Sequence, residues 1–409
     1  MPAIASPLLL TILLCLAEVV GMTGFSVFPA LLPGFINEWR LSNTEAGWIN
    51  GILYGGYLLS VPVLASLTDR VPAKRVYFFS MGLSGLACIG FAILAEGFWT
   101  ALLFRALIGV GLAGTYMPGL KILSDNIEGP TQSRAIAFYT ASFSIGAALS
   151  FLLSGEISDA LDWRWAAAVS AAGPLLAMVL TAPVLPREMP MGHERPDSHL
   201  LDFRPVLQCR RAMGYVYAYA AHNFELFNLR SWMVAYFVFA GTLRPDNDWA
   251  VSATAMATMV TLLGLPSSVI GNELSTKFGR NRVIRIIMLA SAGLSCIVGF
   301  MAGSVPMWVL GAAFVVYGIT VTADSASITS GVVAAAPKGY RGATMAVHSC
   351  IGFTGAFLGP LVFGMVLDSG DGDVSSTLPW GMAFAVTGLV VALGPLALFW
   401  ANRKRRDPV

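Results

Sequence analysis

Twelve apolar runs, most of them joined by short linkers, make up this chain. They lie near residues 8–32, 44–68, 75–95, 98–123, 132–157, 163–185, 212–240, 249–272, 283–303, 306–334, 342–367 and 378–400. About 20 apolar residues cross a bilayer as a helix. Hydrocarbon offers the backbone no water, so each crossing must satisfy its own N–H and C=O groups, and a helix does so within one segment. The expected fold is therefore all-α and integral to a membrane. The first run has no basic leading region and is interrupted by Glu18, so it reads as a retained span and not as a signal peptide.

Composition agrees. Only 12% of the residues are charged and 56% are hydrophobic, whereas a soluble domain carries about 25% charged residues. That deficit rules out a water-soluble surface. The net charge of +2 gives no sign of a nucleic-acid partner. Cys15, Cys88, Cys209, Cys296 and Cys350 are scattered without metal or redox spacing, so they read as small packed residues and imply no disulfide framework. No metal cofactor is expected, and no nucleotide-binding loop occurs that would point to ATP as the energy source.

Nearly all Lys and Arg outside the runs fall on one side of the expected bilayer; the other side holds only Arg40, Arg164 and Arg244. The positive-inside rule then places both termini in the cytoplasm, in a bacterial inner membrane. The longest linker, 186–211, is polar and separates an expected N-terminal bundle, 1–185, from a C-terminal one, 212–409. The two halves match at one constant offset. Glu18 and Glu225, Val76 and Val283, Gly111 and Gly318, and Pro130 and Pro337 each stand 207 positions apart. A fixed offset over so long a stretch indicates a duplicated six-helix unit, with a site expected near the midplane where the repeats meet.

Five charged residues lie inside the apolar runs: Glu18, Arg105, Glu225, Arg230 and Asp324. They fall on the first, fourth, seventh and tenth runs. A charge at mid-bilayer costs about 3 kcal/mol or more, so such residues face a protein interior or a wet cavity and mark a pathway. Their spacing suggests one shared cavity.

The chain resembles the major facilitator superfamily. The family motif Gly-x-Leu-Ala-Asp-Arg-x-Gly-Arg-Lys is approximated by Ala65-Ser66-Leu67-Thr68-Asp69-Arg70-Val71-Pro72-Ala73-Lys74-Arg75, with both glycines replaced. The second copy, Leu274-Ser275-Thr276-Lys277-Phe278-Gly279-Arg280, lacks the Asp. Arg105-x-x-x-Gly109-x-Gly111 matches the fourth-helix motif, and Asp162-Trp163-Arg164-Trp165 is a common family phrase. The Gly-Pro motif of drug/proton antiporters is absent around Gly146; a similar Gly355-x-x-x-Gly359-Pro360 stands on the eleventh run. The resemblance implies twelve helices in two pseudo-symmetric six-helix bundles, alternating access, a cavity lined by helices 1, 4, 7 and 10, and a monomer. It also implies a cytoplasmic gate formed by Asp69, Arg70, Lys277 and Arg280.

Carboxyl groups in apolar surroundings favour the neutral form, which makes Glu18 and Glu225 candidate proton carriers. His222 stands three residues before Glu225 and shares its helix face, and Asn223 adds a donor and an acceptor. Asp324, close in depth to His348, fits a relay or a local helix–helix bond equally well. Arg105 and Arg230 keep their charge and would suit a carboxylate or other oxyanion. In the family, however, the fourth-helix Arg also serves proton coupling, and Arg230 could instead pair with Glu225 or Asp324. Tyr54, Tyr116 and Trp232 either shape a cavity or pack; Lys121 reads as a snorkelling lysine.

These residues point to a non-enzymatic, proton-gradient-driven symporter of a small organic anion, in contact with substrate, protons and membrane lipids. A proton-driven exporter of drug-like or cationic amphiphiles is the alternative within transport. A membrane sensor or lipid translocase is the alternative outside it.

Overall fold

The computed structural model describes residues 6–68, 70–128, 130–185, 203–244, 249–370 and 375–402. Among them every regular element is helical. In chain order these are α1 (Pro7–Gly21), α2 (Val27–Ala30), α3 (Leu32–Trp39), α4 (Asn43–Leu67), α5 (Ala73–Leu94) and α6 (Phe98–Asn126). Next come α7 (Pro130–Ala160), α8 (Trp163–Ser170), α9 (Ala172–Thr181), α10 (Arg204–Gln208), α11 (Arg210–Thr242) and α12 (Ala253–Phe278). The last are α13 (Arg280–Val298), α14 (Met307–Ala323), α15 (Ser325–Ala335), α16 (Arg341–Asp368), α17 (Leu378–Val391) and α18 (Leu393–Asn402).

Each of the twelve expected runs is helical. Ten stretches of the described residues are long and apolar enough to cross a membrane. The other two expected spans are exceptional for identifiable reasons. The first is broken after α1, which keeps only 15 residues. The seventh, α11, has the length at 33 residues but carries His222, Asn223, Glu225, Asn228 and Arg230, all buried. Outward positions such as Leu59, Phe79, Leu86, Trp99, Val179, Leu389 and Leu396 are exposed. Apolar side chains in that number on the outside of every bundle helix require lipid as solvent. The protein is integral to a membrane.

Three further spans expected to be continuous are interrupted. The sixth is divided between α8 and α9 at Ala171, the tenth between α14 and α15 at Asp324, and the twelfth between α17 and α18 at Ala392. Pro174 and Pro395 lie just beyond two of these junctions and have no N–H to close the turn.

The chain packs as two compact units. One comprises Met1–Asp197, Ser231–Ala235 and Ala250–Leu262; the other comprises Ser198–Arg230, Tyr236–Trp249 and Leu263–Val409. The cut at 186–211 remains a proposal from the polar linker and the repeat, since 186–202 lie outside the described residues. In the N-terminal unit Leu10, Leu14, Ala17, Tyr77, Met81, Ile122 and Tyr139 share one core. In the C-terminal unit Met213, Val216, Ile284, Met288, Ile328, Val332 and Leu398 share another. Lipid tails are as apolar as Leu, so these cores cohere by close packing and interhelical hydrogen bonds and gain little from the hydrophobic effect.

Close packing is clearest where glycines meet backbone. A Cβ at Gly109 would overlap the Leu53 carbonyl of α4, which explains the Gly of the Arg105-x-x-x-Gly109 motif. A Cβ at Gly355 would overlap the Ala220 carbonyl, and one at Gly359 would stand 2.7 Å from Phe224 O. The Gly355-x-x-x-Gly359 pair thus seats α16 against the polar middle of α11.

Candidate functional site

Between α1 and α2 the chain leaves the helical path from Met22 to Ser26. Backbone groups freed inside a membrane must find partners, and buried side chains of other helices supply them. Ser150 Oγ of α7 donates to Thr23 O at 2.6 Å and accepts from Ser26 N–H at 2.8 Å. Arg105 Nη1 of α6 donates to Phe25 O at 2.8 Å. Thr23 Oγ1 donates to Ser170 O at 2.7 Å, a carbonyl whose usual donor four residues on is Pro174. The guanidinium carbon of Arg105 also lies 5.9 Å from the Phe28 ring centroid. Arg105 therefore serves the broken first helix inside its own unit. Tyr54 meets Phe25 edge-on at 6.0 Å.

Glu18 is buried in the same unit. Tyr139 O–H donates to its Oε2 at 3.0 Å and has Thr115 O as a second acceptor at 3.4 Å. Glu18 Oε1 has no hydrogen-bond partner among the described residues. Tyr116 stacks on Tyr139 at a centroid distance of 5.6 Å.

In the C-terminal unit the polar residues of α11 reach three different neighbours. His222 Nδ1 stands 2.8 Å from Asp324 Oδ1 at the α14–α15 junction. Glu225 Oε1 accepts from Ser291 Oγ of α13 at 2.8 Å and from Tyr317 O–H of α14 at 3.1 Å. Asn228 Nδ2 donates to Thr387 Oγ1 of α17 at 3.0 Å. The Tyr219 ring stacks on His348 at 3.9 Å and lies 5.8 Å from His222. Thr329 Oγ1 and His348 Nε2 are 3.5 Å apart. His222 and Glu225 thus meet different partners. Three residues apart on α11, they diverge to different helices, and His222 joins Asp324, Tyr219 and His348 in one cluster.

Asn223 is buried beside that cluster, at the close approach to Gly352 of α16. Arg230 is buried with its guanidinium carbon 5.5 Å from the Phe227 ring centroid, and Trp232 is fully buried. Glu225 and Asp324, the acids that Arg230 could have paired with, make contacts with Ser291 and Tyr317 and with His222 respectively. Of the expected gate, Asp69 lies outside the described residues. Arg70 and Lys277 are exposed and Arg280 is half-buried. Lys74, at the end of the same motif, donates to Ala182 O at 2.6 Å and so holds the carbonyl end of α9. Lys121 pairs with Asp125 at 3.2 Å. Among the described residues no three His, Cys, Asp or Glu come together to hold a metal.

Sequence reasoning gave no site role to Tyr317, Ser291, Ser150 or Thr23. One signal was present. Ser84 and Ser291 stand at the same 207-residue offset as the two glutamates. The tyrosines carry no such signal, because the position equivalent to Tyr139 is Ala346 and that equivalent to Tyr317 is Val110.

The sequence profile of the Major Facilitator Superfamily matches residues 14–243 and again 225–409. The chain belongs to the major facilitator superfamily. Its members are transporters and not enzymes. This major facilitator chain is 25% identical over 200 residues to human protein spinster homolog 1, a stretch covering 48% of the chain and 38% of that protein. It is 24% identical over 165 residues to a probable sphingolipid transporter, spinster homolog 1, of Arabidopsis thaliana, covering 40% of the chain and 33% of that protein. The matched stretches span less than half of either relative. A crystal structure of a bacterial homolog to the human lysosomal transporter spinster, inward-facing and occupied, matches with a TM-score of 0.76 at 17% identity over 96% of both chains. At that identity the likeness is one of fold.

Proposed function

We propose that this major facilitator protein is a secondary transporter that carries a small organic anion by proton symport. It works in a bacterial inner membrane with both termini in the cytoplasm. The observation that carries the reading is the buried contact of His222 with Asp324, flanked by Tyr219 and His348. Imidazole is the side chain that ordinarily titrates near neutrality. Breaking such a buried pair leaves an uncompensated charge, which costs several kcal/mol (about 3–5). Asp324 sits at a helix junction, where a change in its charge acts on the hinge between α14 and α15.

For the cargo, Arg230 is the anion contact in this reading, while Arg105 donates to the Phe25 carbonyl. Arg230 keeps its charge under all working conditions and can grip a carboxylate through two parallel hydrogen bonds. A second reading, export of an amphipathic cargo, draws its support from the name of the Arabidopsis relative.

Proteoliposomes of known orientation under an imposed inward proton gradient separate the two. Symport accumulates a labelled organic anion inside, whereas an exporter depletes the lumen of a preloaded amphiphile. Asp324→Asn should abolish gradient-driven accumulation while sparing counterflow exchange. Full gradient-driven uptake in that variant overturns the coupling role, and unchanged anion affinity in Arg230→Ala overturns the anion contact.

A further inference from the structure

Glu18 and Arg105 are two buried charged residues of the N-terminal unit that line neighbouring cavities. Each has one polar atom, Oε1 and Nε respectively, that is buried without a hydrogen-bond partner among the described residues. An unsatisfied buried carboxyl oxygen keeps its full desolvation penalty, so native structures rarely leave one.

Two small cavities are lined by these residues. The first, about 20 Å³, is lined by Glu18, Ser84, Cys88 and Thr115, among others. The second, about 10 Å³, is lined by Arg105 and Phe28 and shares Gly24, Cys88 and Ile108 with the first. A polar site of ~10–15 Å³ or more takes one water, provided two to four polar groups surround it. The first cavity passes both conditions and the second is at the threshold.

The repeat supplies an independent argument. In the C-terminal unit Ser291 donates directly to Glu225 at 2.8 Å. Ser84 is the equivalent residue in the N-terminal unit, and it lines the same cavity as Glu18. There the acid has turned one oxygen to Tyr139 on α7, a tyrosine that the other half lacks at the equivalent position.

We propose that the N-terminal unit contains an internal water site joining Glu18 Oε1 to Ser84 and Thr115 and leading towards Arg105. The hydrogen bonds balance. Thr115 Oγ1 spends its proton on Leu112 O at 3.1 Å, so it accepts from the water. The water's other proton goes to Glu18 Oε1, and Ser84 Oγ–H donates to the water's oxygen. Glu18, Ser84 and Thr115 have counterparts in Glu225, Ser291 and Thr322, but there Ser291 donates directly to Glu225, so the bridging water belongs to the N-terminal unit. It goes beyond proton coupling at His222 and Asp324, and a dry Glu18 would leave that reading standing.

The test is a density map of the full-length wild-type protein in nanodiscs, at a resolution that shows ordered water. A peak within hydrogen-bond distance of both Glu18 Oε1 and Ser84 Oγ is expected. Infrared difference spectra of the same protein should show a water O–H band that shifts in H₂¹⁸O. Ser84→Ala removes one of three partners and should lower occupancy roughly tenfold, taking that band below detection; Glu18→Gln should shift its frequency. A map at that resolution with no peak there, with Oε1 turned onto a protein donor, or with a lipid or detergent tail in the cavity overturns the proposal. So does a band unaffected by Ser84→Ala.

Discussion

At the scale of single residues, buried hydroxyls take up backbone groups that the interrupted helices leave open. Thr23 covers the carbonyl that Pro174 leaves open, and Ser150 holds both sides of the broken strand of chain at once. Thr23→Val keeps the shape and deletes that donor. It should destabilise the protein by ~1–3 kcal/mol, seen as a lower thermal midpoint in detergent, while Thr23→Ser should be nearly silent. An equal loss in both variants would mean that the hydroxyl is not what matters. Glu225 offers a sharper case. Ser291 and Tyr317 donate to the same oxygen, so Ser291→Ala and Tyr317→Phe should be non-additive, with a coupling of about 0.5 kcal/mol or more in a double-mutant cycle. Additive losses would show that the two hydroxyls act separately. None of this pairing was legible from the residues alone. A hydroxyl in an apolar run has many possible partners, and which carbonyl it meets depends on the rotation of its helix about its axis.

At the scale of elements, the chain's small residues set the distances between helices. Gly355 and Gly359 bring α16 onto α11 at the level of His222 and Asn223. Gly355→Val should force the two helices apart, abolishing transport and lowering the thermal midpoint. Gly342→Ala, in the same helix with open space around it, should be neutral or slightly stabilising, by up to ~1 kcal/mol. If both behave alike, the helix–helix contact is not as described. Element identity was legible from apolar run length, since every expected span is helical. The interruptions were not. Pro29, Pro33 and Pro174 were visible, but proline is tolerated inside membrane helices. Whether a helix kinks, breaks or continues depends on whether neighbouring side chains such as Ser150, Ser170 and Arg105 are placed to take up the freed groups.

At the scale of the whole molecule, apolar side chains cover the outside of each unit as well as filling its core, and the proposed orientation follows from where the basic residues lie. A fluorescent reporter fused after the last residue should fold and emit in intact cells, and a C-terminal alkaline phosphatase fusion should be inactive. Active phosphatase would reverse the topology. By itself the sequence determined the membrane, the helices, the duplication and the superfamily. Run length, composition and a constant offset report on those properties additively, residue by residue. It also picked out Glu18, Arg105, Glu225, Arg230 and Asp324, because a charge in an apolar run stands out whatever surrounds it. Only the tertiary structure decided what those charges do. It brought Arg105 to a broken helix, Glu225 to two hydroxyls and Asp324 to within 2.8 Å of His222. That proximity is set by the packing of helices far apart in the chain.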